Sequence, residues 1–317
     1  MKLNIAYSCD EAYISHTGIS IVSLLENNKE FEEIDFYFVA KDVSQKSLDL
    51  LKKLVNSYGR NLIVVSFYDI CGDLKIKALG RHIETVYAKL FFARIKEIDK
   101  VLYIDSDTII NDSLKEFWET DLTNDLIGGV ETYTVDAKKL LNLSKSDKFI
   151  NDGVALINLK EFRKQNIETK FIECIAEYNG NPPVLSEGVI NKVCKGKIKV
   201  LHPKFNLMSG LITYKKNRFL NITNYYSKTV IKEAIDKPVI IHYLSAFYNR
   251  PWDKNCTHPM KEKYLYYKSI SYWKDEPLQS KKMIFRLRVI KFLYDYFPNI
   301  ILDFIRFIIK KKRIFKY

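Results

Sequence analysis

Two aspartates separated by one serine close an apolar strand-like stretch of the chain, where Val101, Leu102, Tyr103 and Ile104 run into Asp105, Ser106 and Asp107. At a strand exit, residues i and i+2 share a face, so both carboxylates can turn toward one point. Paired oxygen donors suit Mg²⁺ or Mn²⁺, ions that in turn hold phosphate oxygens. A second apolar stretch, VIIHYL at 239–244, delivers His242 from far along the chain. A histidine among apolar residues is commonly a satisfied core side chain. Beside two carboxylates, it would instead complete a mixed oxygen and nitrogen set that Mn²⁺ accepts. Arg250 follows just before Pro251 and Trp252 and offers a planar cation suited to clamping a diphosphate.

The elements that must position these groups follow an α/β rhythm. LNIAYS (3–8), IDFYFVA (34–40), NLIVVSFY (61–68) and VLYID (101–105) read as strands. Helical patterns over 18–27, 44–58 and 85–95 separate them, the second with Ser44 placed to cap it. This βαβαβ layout predicts a parallel sheet covered by helices, with ligands beyond the carboxyl ends of its strands. Asp105 and Asp107 lie at such an end. Further strands are expected at 126–132, 153–159 and 238–244, with helices near 167–178 and 187–194 and an aromatic helical stretch at 261–273.

A chain of 317 residues with 47% hydrophobic content can bury a full core, so one large domain with an appendage is expected. We place the body at 1–275 and the appendage at 276–317. The five cysteines are scattered without a CxxC pair, which points to neither a disulfide framework nor a zinc site and fits a reducing compartment. The opening MKLNIAYSCDEAY is too short in its apolar run for a signal-peptide core, so a cytoplasmic location is expected. The net charge of +13 is uneven: from Lys281 onward there are eleven basic and two acidic residues, leaving only +4 for what precedes. Charge confined to the end argues against a nucleic-acid groove across the body. That basic, aromatic tail reads as two amphipathic helices broken near Pro298, suited to the anionic inner leaflet of a plasma membrane. Packing on the body or docking to a partner protein are the alternatives. Asp303 and Arg306 interrupt its longest apolar run, which is too short to span a bilayer.

Several ordered motifs over roughly residues 3–255 together resemble the retaining glycosyltransferases of family 8. IAYSCDEAY resembles the family's opening strand, HIETVYAKL a segment that carries a basic residue toward the donor, and YIDSD its DxD signature. INDGVALINL is similar to its Asn-x-Gly-plus-strand motif, and HYLSAFYNRPW to its loop from histidine to Pro-Trp. The resemblance implies a GT-A fold, Rossmann-like and nucleotide-sugar-binding. It also implies a UDP-sugar donor, UDP-galactose or UDP-glucose, and transfer of the hexose with retention to a glycan or glycolipid of a bacterial surface. On that basis Ser8 and Asp10 would meet the uracil, Tyr13 would stack on it, and Lys89, Ser106 and Arg250 would approach the donor. Asp105, Asp107 and His242 would hold Mn²⁺ or Mg²⁺.

Breaking a bond between an anomeric carbon and a diphosphate leaves negative charge on one side and an oxocarbenium-like sugar on the other. Asp152 and Glu187, with Asn151 beside them, are candidates to stabilise the cationic side or to attack it, ordinary polar lining or helix capping being the plainer role for both acids. IDSDT also fits the DxDxT motif of haloacid-dehalogenase-type phosphatases, in which Asp105 would attack and Asp107 would act as an acid. A glycoprotein-modifying transferase of the same family is the nearer alternative.

Overall fold

The alternation of apolar runs with amphipathic segments produces β1 (Lys2–Asp10), α1 (Ile14–Asn27), β2 (Glu33–Lys41), α2 (Gln45–Ser57), β3 (Asn61–Ser66) and α3 (Phe67–Cys71). The computed structural model describes residues 1–72, 74, 84–132, 135–213, 226–244, 249–280, 289 and 292. The tail from 281 onward lies outside the described residues save Val289 and Phe292, so its expected amphipathic helices do too. Ser44 caps α2 as expected: its Oγ accepts from the Ser47 amide at 3.3 Å, a contact of the kind worth about 1 kcal/mol. A long 3₁₀ run, Glu84–Arg94, stands where the sequence predicts an ordinary helix. Nearly all of it is buried, so tertiary packing rather than local preference sets its winding.

Then come β4 (Lys100–Ile104), β5 (Thr108–Ile110), α4 (Lys115–Trp118), β6 (Ile127–Glu131), α5 (Val135–Leu140) and β7 (Ile150–Asn158). They are followed by α6 (Leu159–Lys164), α7 (Ile167–Glu177), α8 (Leu185–Val193), β8 (Ile198–Val200), β9 (Leu207–Met208) and β10 (Ile240–His242). The main sheet has the order β3-β2-β1-β4-β7-β6-β8. Its first four strands are parallel, as the βαβαβ pattern predicts. Beyond them the sheet is mixed: β7 runs antiparallel to both β4 and β6. Its own residues are too uniformly apolar to reveal that reversal, because a strand buried on both faces reads the same in either direction.

The reversal shapes the centre of the molecule. It lays the start of β7 beside the end of β4, pairing Ile104 with Val154, and the Asp105 amide donates to the Gly153 carbonyl at 2.7 Å. A second sheet, β5-β10-β9, pairs His242 with Thr108 on one side and Met208 on the other. The histidine is thereby delivered to the residue that follows Asp107.

Both faces of the main sheet are covered. Leu3, Ile5, Tyr7 and Cys9 of β1 join the core under α1 and α2, whereas Ala6 joins the core under the 3₁₀ run, α7 and α8. Helix α1 lies so close to Trp273 that a Cβ on Gly18 would come within 1.9 Å of the indole. The Gln279 amide donates to the Trp252 carbonyl at 2.8 Å and its carbonyl accepts from Lys254 at 2.9 Å. Among the described residues, no helix is long and apolar enough to cross a membrane.

Candidate metal and nucleotide site

Asp105 and Asp107 flank a tight turn between β4 and β5. The Thr108 hydroxyl closes it by donating to the Asp105 carbonyl at 2.9 Å. Tyr103 shares a face with Asp105, and its hydroxyl donates to Asp105 Oδ1 at 2.7 Å. His242 Nε2 stands 3.1 Å from Asp107 Oδ1 and 3.9 Å from Asp105 Oδ2. These three side chains bring one ligand atom each within 4.8 Å of one another.

The residues fit a divalent cation on three grounds. His242 is fully buried, yet among the described residues its Nε2 has no hydrogen-bond partner, an expensive state for a buried polar atom unless a further partner arrives. The donor set of two carboxylates and one imidazole is one that Mn²⁺ accepts. Finally, Gly153 keeps the space open, since a Cβ there would lie 2.3 Å from Asp105 Oδ2 and 2.6 Å from His242 Cε1.

Burial would raise the Asp107 carboxyl, but the Arg250 guanidinium beside it outweighs that and holds it below the usual range. Arg250 donates both to Asp107 Oδ2 and to the Tyr243 carbonyl. This favours the ionised form of Asp107, the opposite of what the acid of a DxDxT phosphatase requires. Asp105 keeps 30% of its side chain exposed toward the cavity. Loss of water nevertheless pushes it above the usual carboxylate range, against the pull of Lys89.

A cavity of about 180 Å³ adjoins the acid pair. Ser8, Asp10, Tyr13, Ser106 and Arg250 line it together with both aspartates, so most of the residues expected to meet the donor are brought together. Several are held by the fold as well. The Ser8 hydroxyl donates to the Thr85 carbonyl at 2.8 Å, and Ser106 Oγ accepts from Thr17 at 2.7 Å. Asp10 Oδ1 accepts from the Ala12 amide at 3.1 Å, capping the short turn that carries Tyr13. Trp252 stacks on His16 with ring centroids 3.7 Å apart and meets Tyr13 edge-on at 6.0 Å. This stack fixes the Arg250 segment against the start of α1.

Lys89, expected near the donor, is not among the residues lining that cavity. It is 1% exposed and its Nζ lies 3.0 Å from both Asp152 Oδ2 and the Asp152 carbonyl, 3.8 Å from Asp105 Oδ1 and 4.2 Å from the Tyr103 ring centre. Burial alone would favour loss of its proton, but Asp105 and Asp152 outweigh that and raise its pKa. Asp152 also accepts from the Ser186 hydroxyl at 2.6 Å. Asn151 donates to Glu187 Oε2 at 2.8 Å, and burial, reinforced by the Asp152 charge, pushes Glu187 up to about 8. At neutral pH this carboxyl therefore largely keeps its proton.

Two participants were not legible in the sequence. Tyr103 supports Asp105, and only its i−2 spacing from that residue could have flagged it. Asn206 accepts from His242 Nδ1 at 2.9 Å, and nothing in HPKFNLM marks it.

Residues 4–256 match the profile of glycosyl transferase family 8. The lipopolysaccharide 1,2-glucosyltransferase of Escherichia coli is 25% identical over 287 residues, spanning 86% of this chain and 80% of its own. The lipopolysaccharide 1,3-galactosyltransferase of Salmonella typhimurium (strain LT2) is 24% identical over 286 residues, 86% of this chain and 79% of its own. Among solved structures, galactosyltransferase LgtC in complex with donor and acceptor sugar analogues superposes with a TM-score of 0.69 at 21% identity, covering 90% of this chain and 99% of that one. The shared architecture is the GT-A fold.

Proposed function

The chain belongs to glycosyl transferase family 8, and from that premise we propose that it moves galactose or glucose from a UDP-sugar to a surface glycan of the lipopolysaccharide or capsule type, with retention of configuration. The observation that carries this reading is the convergence of Asp105, Asp107 and the Nε2 of His242, the two aspartates also lining the cavity formed by Ser8, Asp10 and Tyr13. Similarity to lipopolysaccharide glucosyl- and galactosyltransferases supports that acceptor class.

In this reading Tyr13 stacks on the base, Ser8 and Asp10 bind it at its edge, and Arg250 turns from Asp107 to the departing diphosphate. Mn²⁺ or Mg²⁺ held by Asp105, Asp107 and His242 would supply neutralisation of the charge developing on that leaving group. The bond from the anomeric carbon to the diphosphate oxygen breaks, and the acceptor hydroxyl bonds to the same face of the carbon. Its proton passes to the leaving diphosphate, so no enzyme nucleophile is required. Asn151, Asp152 and Glu187 line the side from which the sugar is held. The basic tail, outside the described residues from 281 onward, would hold the enzyme on the anionic inner leaflet, where a glycolipid acceptor is found.

The test is UDP release from a panel of UDP-sugars, with Mn²⁺ and with chelator, by the full chain and by Asp107→Ala. Turnover of one donor that falls about 10³-fold or more in the variant and with chelator is expected. No UDP release and no UDP binding under any metal would sink the reading. Truncation after residue 280 tests the tail: donor hydrolysis should persist while co-sedimentation with anionic vesicles is lost.

A further inference from the structure

Asn206 ends the 3₁₀ turn Pro203–Asn206, immediately before β9, and is completely buried. It joins a chain of side-chain hydrogen bonds that runs from Glu187 through Asn151 and Asn206 to His242. The direction of every bond in that chain follows from one backbone group. The Gly153 amide can only donate, and it points at an Asn151 amide atom 3.3 Å away, which must therefore be the oxygen. The Asn206 atom 2.9 Å from that oxygen must then be the NH₂ group. The remaining Asn206 atom is its oxygen, 2.9 Å from His242 Nδ1, so Nδ1 carries the proton. In a neutral imidazole this leaves the lone pair on Nε2, the buried atom without a hydrogen-bond partner beside Asp105 and Asp107. The other asparagine end agrees, because Asn151 is left with its NH₂ facing Glu187 Oε2 at 2.8 Å.

We propose that Asn206 is a positioning residue for the metal site, holding His242 in the tautomer with hydrogen on Nδ1 and aiming its Nε2 lone pair at the two aspartates. Asn151 sets the polarity of Asn206, so the segment that carries Asn151 to Gly153 determines both the space at the site and the protonation of its histidine. The inference rests on the proposed metal site for its purpose, and on the hydrogen-bond directions alone for its content. Outer partners of ligating histidines commonly act this way, and their loss costs about ten- to a hundredfold in metal affinity.

The experiment reads the imidazole directly. Long-range nitrogen–proton correlation spectra of the full chain with labelled histidines, compared with His242→Gln to identify the ring, should show hydrogen on Nδ1 of His242 before any metal is added. Asn206→Ala should lose that preference and bind Mn²⁺ about ten- to a hundredfold more weakly by paramagnetic resonance of the free ion. Asn206→Asp keeps an acceptor for Nδ1 but loses the donor to Asn151 Oδ1, so it should regain the tautomer with an affinity between those of Asn206→Ala and the wild type. A wild-type ring protonated on Nε2 alone overturns the proposal, as does an Asn206→Ala protein that keeps the Nδ1 tautomer and wild-type affinity. Equal loss in Asn206→Ala and Asn206→Asp overturns it too, because the acceptor would then not be what matters. The wild-type spectrum decides the assignment even where a variant does not fold. A wild-type protein that shows the expected tautomer and binds no Mn²⁺ upholds the assignment and sinks the metal reading instead.

Discussion

Two groups of acids meet along β7, and they are neutralised in different ways. Around Asp152 and Glu187 the protein balances itself: Lys89 lies on Asp152, Ser186 donates to it, Asn151 donates to Glu187, and Glu187 keeps its own proton near neutrality. Around Asp105 and Asp107 compensation is incomplete. Arg250 and Tyr103 each cover one oxygen, yet the Nε2 of His242 and the nearest Asp107 oxygen face each other at 3.1 Å without a hydrogen bond between them. The first arrangement is finished without a ligand. The second is complementary to a cation that the described residues do not themselves supply.

The largest expected effects come from closing the incomplete site. Gly153→Ala places a methyl group against both Asp105 Oδ2 and His242. Mn²⁺ binding measured by calorimetry should be abolished, with a stability loss of about 1–3 kcal/mol from overpacking. Metal affinity within a few-fold of wild type would show that the space beside Gly153 is not where the cation sits. Next comes Lys89→Met, which removes the only cation within salt-bridge range of Asp152 among the described residues. Because Lys89 is 1% exposed, the unpaired carboxylate should cost about 3–5 kcal/mol in urea unfolding. A loss below about 1 kcal/mol would mean that the inner cluster is less dependent on internal pairing than the contrast requires.

The difference between the two clusters also explains what could be read from sequence. Asp105 and Asp107 were legible because an apolar strand ending in two acids is a local pattern, and His242 because its strand is equally apolar. The first three βα units were legible for the same reason, with β1 to β4 parallel as the alternation predicts. The reversed direction of β7 was not, since Val154 to Ile157 are buried on both faces and carry no signal of orientation. Yet that reversal is what brings Asn151 to Gly153 to the acids. Lys89 was expected near the donor because HIETVYAKL resembles the family segment that carries a basic residue there. Its neighbour Asp152 is 63 residues away along the chain, so only the folded structure shows where the charge is used. Asn206 left no trace because its role depends on two hydrogen bonds to residues in other elements.

The smallest effect expected, and the sharpest probe of the self-balanced cluster, is the pH dependence contributed by Glu187. Its carboxyl is pushed from an ordinary 4.5 up to about 8 by burial and by the Asp152 charge. Between those values the folded protein binds a proton at this site that the unfolded chain has released. Stability from this group is therefore complete below pH 4.5, declines as pH rises toward 8, and is flat above it, with a limiting slope of about 1.4 kcal/mol per pH unit. Asp107, held below its usual range, contributes in the opposite sense, losing stability only at acid pH as it protonates. Raw profiles of the wild type thus mix two signs, and the comparison with Glu187→Gln removes the shared part. Glutamine keeps an oxygen for the Asn151 amide at 2.8 Å and cannot ionise, so its advantage over wild type should grow from pH 4.5 to about 8 and then stop. Unfolding free energies of the two proteins across that window provide the measurement. Parallel profiles would mean that Glu187 is ionised throughout, and the inner cluster would then carry an unbalanced charge of its own.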